Sequence, residues 1–196
     1  MFYHSMNSIS QVYILPGESY NRSLSVCGVI LLRLRVPIVA QNSWKPPTAD
    51  IYKINSDGSF DPSSRSGGWG FVVRDSSGEV LAAGAGNITY AASSLQAEAI
   101  AVYKSILQAA RLGMTRIILE MDATVLASAL KSCCVDQSAI GGLVYQIRDI
   151  MCDDFSCCTV SVCNRSCNKV ADCLAFYGAY VLFSGSEVFM NQYQTM

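Results

Sequence analysis

Four acidic residues stand in apolar stretches of the sequence, where carboxylates are unusual. They are Asp57, Glu98, Asp122 and Asp172. Asp57 follows the alternating segment IYKINS, and Asp122 closes the apolar run RIILEM. Glu98 is flanked by alanines in LQAEAI, and Asp172 lies among apolar residues in VADCLA. Buried carboxylates cost free energy unless they are paired, hydrogen-bonded or bound to a metal ion, so this pattern predicts a functional site.

Each acid also has an ordinary structural explanation. Asp57 precedes Gly58 and could form a turn, and Asp122 could cap the helix that follows it. Glu98 and Asp172 could lie on exposed helix surfaces. The joint pattern favours a shared site, because a central strand end and a neighbouring strand can bring Asp57 beside Asp122. Two helices packed on that edge can add the other two acids.

Four clustered carboxylates repel one another, which raises their pKa values, and divalent cations relieve this repulsion. Mg²⁺ prefers oxygen ligands and keeps several waters, so the predicted site suits two Mg²⁺ ions, with Mn²⁺ as a substitute. Two ions about 4 Å apart can hold the attacking and the leaving oxygen of a phosphodiester during in-line displacement. The predicted reaction is therefore phosphodiester hydrolysis.

The first elements that must position these acids are three strands. IYKINSDGSF alternates apolar and polar residues and then reaches Asp57-Gly58, which predicts a strand followed by a turn. GGWGFVVRD is rich in aromatic and β-branched residues and ends at the turn from Asp75 to Gly78, after which EVLAAGAGNITY returns as a third strand. Short turns between these strands predict an antiparallel meander.

Helices and further strands follow after Ala91. The segment ASSLQAEAIAVYKSILQAARLG has apolar residues three or four apart and stops at Gly113, which predicts a helix. RIILEMD has the continuous apolar pattern of a central buried strand. ATVLASALKS and AIGGLVYQIRDIM are predicted helices, CCTVSVCN is a predicted fifth strand, and CNKVADCLAFYGAYVLF begins a final helix. The predicted fold is α/β (α+β mixed), with a five-stranded mixed sheet flanked by helices.

The composition fits one globular domain with short extensions. The chain has 196 residues, 51% of them hydrophobic, and a formal net charge of −1. This charge argues against a strongly basic nucleic-acid coat, so any nucleic-acid binding must come from a local site. No apolar run is long enough for a membrane span. We expect an N-terminal extension of unknown role over residues 1–43, a linker over 44–50, the domain over 51–183 and a C-terminal tail over 184–196.

The nine cysteines and the single histidine, His4, lack the spacing of a zinc site, because no two cysteines form a CxxC pair. Several cysteines alternate with apolar residues, as buried free thiols do. We therefore expect reduced packing cysteines and a reducing compartment, which means the nucleus, the cytoplasm or an organelle matrix. We also expect a monomer.

Six stretches carry a combination of short motifs. They are WKPP, YKINSDGSF, GGWGFVVRDSSGEVL, SLQAEAIAVYKSILQA, RIILEMDA and NRSCNKVADCLA, and they span roughly residues 44 to 180. The motifs DG-x-F, AEA, E-x-D and N-x-x-AD-x-LA occur within them in this order. In this combination the chain resembles the type 1 ribonuclease H domain, and most closely the plant ribonuclease-H-like proteins related to retroelement reverse transcriptases.

The resemblance implies a metal-dependent endonuclease that hydrolyses the RNA strand of RNA–DNA hybrids. It assigns the metal ligands and catalytic carboxylates to Asp57, Glu98, Asp122 and Asp172. Recognition would rest on the minor groove of the hybrid, where 2′-hydroxyls distinguish RNA from DNA. The expected nucleic-acid contacts are Gly58, Ser59, Ser94, Arg165 and Asn168.

Two departures from the family pattern leave alternatives open. Many members carry a histidine in a flexible loop before the last acid, but the corresponding stretch SVCNRSCNKVAD has none. Arg165 could stand in by contacting a phosphate, or it could pack over the sheet and meet an acid. Because the histidine is absent, we expect slower turnover. The region from Lys131 to Asp154 also lacks the basic protrusion of some members, so we expect weaker substrate binding. The alternatives are a catalytically weak or inactive nucleic-acid-binding module, and an exonuclease or transposase-like member of the same superfold.

Overall fold

The computed structural model describes residues 44–132, 138–182 and 186–190. Its strands are β1 (Tyr52–Asp61), β2 (Ser66–Arg74), β3 (Val80–Ile88), β4 (Arg116–Met121), β5 (Cys157–Val162) and β6 (Ser186–Met190). Its helices are α1 (Ser94–Arg111), α2 (Thr124–Lys131), α3 (Gly141–Asp153) and α4 (Lys169–Tyr180), with a short 3₁₀ turn at Arg165–Cys167. The predicted succession of elements is confirmed from β1 to α4.

The strands form one mixed sheet in the order β5-β4-β1-β2-β3-β6. β4 is parallel to β1 and to β5, whereas β1, β2, β3 and β6 pair antiparallel in succession. The predicted mixed fold is confirmed, but the prediction of five strands was wrong, because Ser186–Met190 pairs with β3 as a sixth. This short edge strand falls in the segment predicted as a tail. Its pairing depends on a distant strand, which the local sequence pattern does not reveal.

Helices cover both faces of the sheet. On one face, α1, α2 and α3 pack around a core whose buried residues include Ile54, Phe71, Ile106, Leu119, Leu126 and Ile147. On the other face, α4 packs against β1, β2 and β3 around Val72, Leu174 and Tyr177. Because β1 lies in the middle of the sheet, the side chains that alternate along it face two different helical layers.

Several glycines, Gly58 and Gly70 among them, set how closely the helices approach the sheet. A Cβ atom at Gly58 would lie 2.4 Å from the backbone of Ala97 in α1. A Cβ atom at Gly70 would lie 2.3 Å from the backbone nitrogen of Ala175 in α4. Carbon contacts are favourable at about 3.5–4.0 Å, so any side chain at either position would push the helix away.

The turn predicted at Asp57-Gly58 was wrong. β1 continues through both residues to Asp61, and the chain reverses at residues 62–65. An Asp-Gly pair usually marks a turn because glycine adopts turn conformations without strain. Here Gly58 serves the close approach of α1, so the same pair lies inside a strand.

The residues predicted as a linker pack against the domain. The ring centroid of Trp44 lies 5.4 Å from Lys53 Nζ and 4.5 Å from Arg74 Cζ, and Pro47 is buried. The predicted extension over residues 1–43 and most of the predicted tail lie outside the described residues. Within the described ranges, no helix has the length and apolar character that crossing a membrane requires.

The prediction that the cysteines are buried was wrong for the six that the structure describes. None of these six forms a disulfide; Cys152, Cys157 and Cys173 are exposed, and Cys158, Cys163 and Cys167 are half-buried. Three of them, Cys157, Cys158 and Cys163, lie on β5 or directly after it, and β5 is an edge strand with less covering than the centre of the sheet. The cysteines at positions 27, 133 and 134 lie outside the described residues.

Candidate active site

The parallel strands β1 and β4 bring two acids to the same level. Their register pairs Asn55 with Glu120 as the last pair of the ladder. Asp57 and Asp122 each stand two residues further along, and Asp122 directly follows the end of β4. Because side chains alternate along a strand, the register predicts that both acids project from the same face as Asn55 and Glu120.

Helix α1 contributes a third acid. Its first turn is capped by the Ser93 hydroxyl, and Glu98 follows in the next turn. The glycine contact brings this turn against β1, where the Gly58 N–H donates to Glu98 Oε2 at 3.1 Å. Carboxylate oxygens of Asp57, Glu98 and Asp122 all lie within 4.8 Å of one another. We call these three residues the acid cluster.

Asp172, the fourth predicted acid, lies at the rim of the acid cluster and outside the group of three. It is in the first turn of α4, and its side chain is 46% exposed. Its Oδ1 lies 3.8 Å from Arg165 Nη2. Asp172 is nevertheless close enough for its charge to raise the pKa of Asp57.

Asn168 holds Asp57 in place. Its Nδ2 donates to the Ser56 carbonyl at 2.9 Å and to Asp57 Oδ1 at 3.1 Å. Asn168 is fully buried, so the direct nucleic-acid contact predicted for it is inconsistent with its position. Its Nδ2 group is already used inside the protein, and the residue orients a carboxylate instead.

The other predicted nucleic-acid contacts differ in accessibility. The Arg165 side chain is 79% exposed, and Ser94 is exposed at the start of α1. Ser59 is half-buried within β1. The Gly58 N–H was predicted to contact nucleic acid, but it is donated to Glu98. Arg165 and Ser94 are therefore the predicted contacts that solvent reaches freely.

Burial and repulsion between carboxylates favour the protonated forms of Asp57 and Glu98. Burial, followed by repulsion from Asp122 and Asp172, raises the pKa of Asp57 to about 7. Burial, followed by repulsion from Asp57 and Asp122, raises the pKa of Glu98 to about 9. The charge of Arg165 lowers both pKa values, but it is outweighed.

The donor set fits a hard divalent cation. All three residues of the acid cluster offer carboxylate oxygens, the ligands that Mg²⁺ and Mn²⁺ prefer. A cation placed between them would offset the repulsion that raises the pKa values of Asp57 and Glu98. Metal and protons would therefore compete for the same oxygens.

The sequence profile of one family matches more than half of the chain. The profile is described as reverse transcriptase-like, and the match covers residues 55–178, which include all four predicted acids. The chain belongs to the reverse transcriptase-like family. Comparison with curated proteins finds no match for it.

Solved RNase H structures share the fold of this reverse transcriptase-like chain. RNase H1 from the halophilic archaeon Halobacterium salinarum is 22% identical, with a TM-score of 0.60 over 65% of this chain and 96% of that one. The N-terminal RNase H domain of a Mycobacterium tuberculosis protein is 23% identical, with a TM-score of 0.59 over 65% and 92%. LC11-RNase H1, solved in complex with an RNA/DNA hybrid, is 18% identical, with a TM-score of 0.56 over 63% and 92%. The predicted resemblance to the ribonuclease H domain is thereby confirmed at the level of fold.

This reverse transcriptase-like chain also has a buried polar network next to the acid cluster. The sequence did not predict it. It consists of Lys53, Asn55, Arg74 and Glu120, each at most 9% exposed. Lys53 Nζ lies 3.2 Å from Glu120 Oε1, and Asn55 Nδ2 donates to Glu120 Oε2 at 2.8 Å. The spacing in the sequence could have indicated it. Asn55 and Glu120 each precede a predicted acid by two residues, so they lie on the same face of the sheet as that acid.

Proposed function

We propose that the chain is a metal-dependent endonuclease that hydrolyses the RNA strand of RNA–DNA hybrids. The observation that carries the proposal is the acid cluster, whose oxygens converge within 4.8 Å in a fold shared with RNase H1. LC11-RNase H1, which has the same fold, is solved with an RNA/DNA hybrid. Three mutually repelling carboxylates, of which Asp57 is buried and Glu98 and Asp122 are half-buried, are unfavourable for folding, whereas they suit a bound divalent cation.

The acid cluster would hold Mg²⁺, or Mn²⁺ in its place, and Asp172 at the rim would complete a site for two ions. When bound, the ions would activate a water molecule and offset the charge that develops on the phosphodiester. Asp57, Glu98, Asp122 and Asp172 are thus proposed as the metal ligands and catalytic carboxylates.

Other groups of the chain keep these ligands in position. The Asn168 amide fixes Asp57 Oδ1, and the Gly58 N–H fixes Glu98 Oε2. Each bond uses a donor whose own position is set by packing, since Asn168 is fully buried and Gly58 lies against α1. Ligands fixed in this way lose little conformational entropy when a cation binds.

Arg165 is the proposed contact to the substrate backbone. Its guanidinium meets Asp172 at 3.8 Å and stays 79% exposed, so it can reach a phosphate while remaining beside the acids. The segment that carries it, from Ser161 at the end of β5 to Asp172 in α4, has no histidine. This segment therefore has no imidazole for proton transfer, and we expect slow turnover.

The test is cleavage of a labelled RNA–DNA hybrid by the full chain, with Mg²⁺ or Mn²⁺, compared with Asp122→Asn. The wild type should cut only the RNA strand, and the variant should lose activity by a factor on the order of 10³, because a metal ligand is removed. Asp149→Asn, an exposed acid on α3, is the matched control and should retain full activity.

Single-stranded RNA, double-stranded RNA and double-stranded DNA should remain intact in the same assay. Absence of cleavage with either metal, from protein shown to be folded, would refute the nuclease and favour the inactive binding module. Cleavage of all four substrates would instead refute the proposed specificity.

A further inference from the structure

The polar network lies on the same strands as the acid cluster, with Asn55 and Glu120 two residues before Asp57 and Asp122. Asn55 and Asp57 are both on β1, and Glu120 and Asp122 are on β4 or directly after it. The Asn55–Glu120 pair is the last pair of the parallel ladder. Beyond it, Asp57 and Asp122 face each other without a further backbone pair in this ladder, and their repulsion acts to part the strands.

Side-chain contacts hold the strands together at that last pair. The Asn55 amide reaches across to Glu120 Oε2 at 2.8 Å, and Lys53 reaches from β1 to Glu120 Oε1 at 3.2 Å. Both oxygens of Glu120 are therefore tied to β1. Arg74 extends the polar network to β2, with its Nη1 donating to Asn55 Oδ1 at 3.4 Å.

Joining two strands through the polar network costs free energy, because charged groups are buried. It buries two cations and one carboxylate, and buried ion pairs are often no more stabilising than apolar side chains of similar volume. Such groups are retained in some proteins because they fix one specific geometry. The geometry fixed here is the separation of β1 and β4 immediately before the two acids.

We propose that Asn55 and Glu120 are positioning residues that set the separation of Asp57 and Asp122 for a divalent cation. This inference rests on the proposed function, because it assumes that the acid cluster binds metal. Loss of the Asn55–Glu120 bond would let the strands part at their carboxyl ends. The acids would then lie too far apart for tight binding while the fold persists.

The test is Mn²⁺ binding to the full chain by titration calorimetry, which needs no turnover. Asn55→Val removes the bond to Glu120 but keeps a residue that suits a strand. We expect its Mn²⁺ dissociation constant to rise by about 10- to 100-fold, as for other residues that orient metal ligands. Glu120→Gln keeps one acceptor for the Asn55 amide but turns its NH2 group toward Lys53, so its dissociation constant should rise by less than that of Asn55→Val.

Val144→Ala in α3 is the control for lost stability, since Val144 is fully buried in the core on the other face. Its Mn²⁺ affinity should equal that of wild type. Equal affinity of Asn55→Val and wild type, or an equal loss in Val144→Ala, would overturn the positioning role alone. Absence of Mn²⁺ binding by the wild type would overturn both the role and the proposed function. If Asn55→Val does not fold, Asn55→Thr is tested by the same criteria.

Discussion

The acid cluster and the polar network are neighbouring groups of charged residues on the same two strands, and they balance charge differently. In the polar network, the Glu120 carboxylate has a cation and an amide donor at its two oxygens. In the acid cluster, three carboxylates face one another, and burial, followed by repulsion, raises the pKa values of Asp57 and Glu98. The carboxylate of the polar network is thus satisfied within the chain, whereas the acid cluster would be completed by the proposed cation.

Among the variants below, neutralising Asp57 should change the unfolding free energy most, because it removes a charge from the acid cluster. Its folded pKa of about 7 lies above the ordinary 3.8, so the native metal-free protein holds a proton that the unfolded chain releases. The stability contributed by this proton is present at low pH and is lost as the pH rises through 7. Asp57→Asn should raise the unfolding free energy at pH 8 by about 4 kcal/mol, since one pKa unit corresponds to about 1.4 kcal/mol.

Denaturant unfolding at pH 5 and pH 8 in the presence of a chelator measures this effect. The wild type should lose more stability between the two pH values than Asp57→Asn. Asp149→Asn, on the exposed surface of α3, should follow the wild type. A parallel pH dependence in wild type and Asp57→Asn would contradict the raised pKa.

Removing the amide of Asn168 should have an intermediate effect. Asn168→Ala leaves the buried Ser56 carbonyl without the Asn168 donor, so the unfolding free energy should fall by about 1–3 kcal/mol. The pKa of Asp57 should rise further, because the hydrogen bond from Asn168 lowers it. NMR titration of the carboxyl carbon of Asp57 measures the change directly.

Asn164→Ala is the control within the same loop. Asn164 Oδ1 accepts from the Ser166 N–H at 3.0 Å in an exposed position, away from Asp57. The pKa of Asp57 should be unchanged in this variant. An unchanged or lowered pKa in Asn168→Ala would show that Asn168 does not govern the carboxylate.

Replacing Arg165 should have the smallest effect on stability. Its ion pair with Asp172 is exposed, so Arg165→Gln should change the unfolding free energy by less than about 1 kcal/mol. Hybrid binding should weaken, and the slope of log affinity against log salt should fall by about one. Fluorescence anisotropy in the Asp122→Asn background measures this slope without cleavage.

Arg111→Gln, at the exposed end of α1, is the matched control and should leave the slope unchanged. A slope that is the same for Arg165→Gln and wild type would remove Arg165 from the substrate contacts. It would leave the ion pair with Asp172 as the role of this side chain.

Local patterns were sufficient to predict most of the fold. Strand alternation, helical spacing and the glycine after α1 are read within a few residues of one another, and the elements from β1 to α4 follow from them. β6 was missed because its strand character depends on pairing with β3. The Asp57-Gly58 pair was misread because a contact with α1, 40 residues away, decides its conformation.

The acids of the site were easier to predict than the residues that hold them. Asp57, Glu98 and Asp122 stand out as carboxylates in apolar stretches, and the structure brings these three together. Asn168 binds the carbonyl of a residue 112 positions away, and Asn55 binds Glu120 across 65 positions. Partners at such distances are set by strand register for Asn55 and by the packing of α4 on β1 for Asn168, and a single sequence specifies neither.

The glycine contacts make the geometry of the acid cluster depend on residues that lie outside it. α4 rests on Gly70 with no room for even one methyl group, and its first turn carries Asp172 beside Asn168. A larger residue at position 70 would lift the helix and withdraw the Asn168 amide from Asp57, although position 70 has no polar side chain of its own. In natural variation of this chain, we therefore expect an exchange at Gly70 to disturb Asp57 as an exchange of Asn168 would.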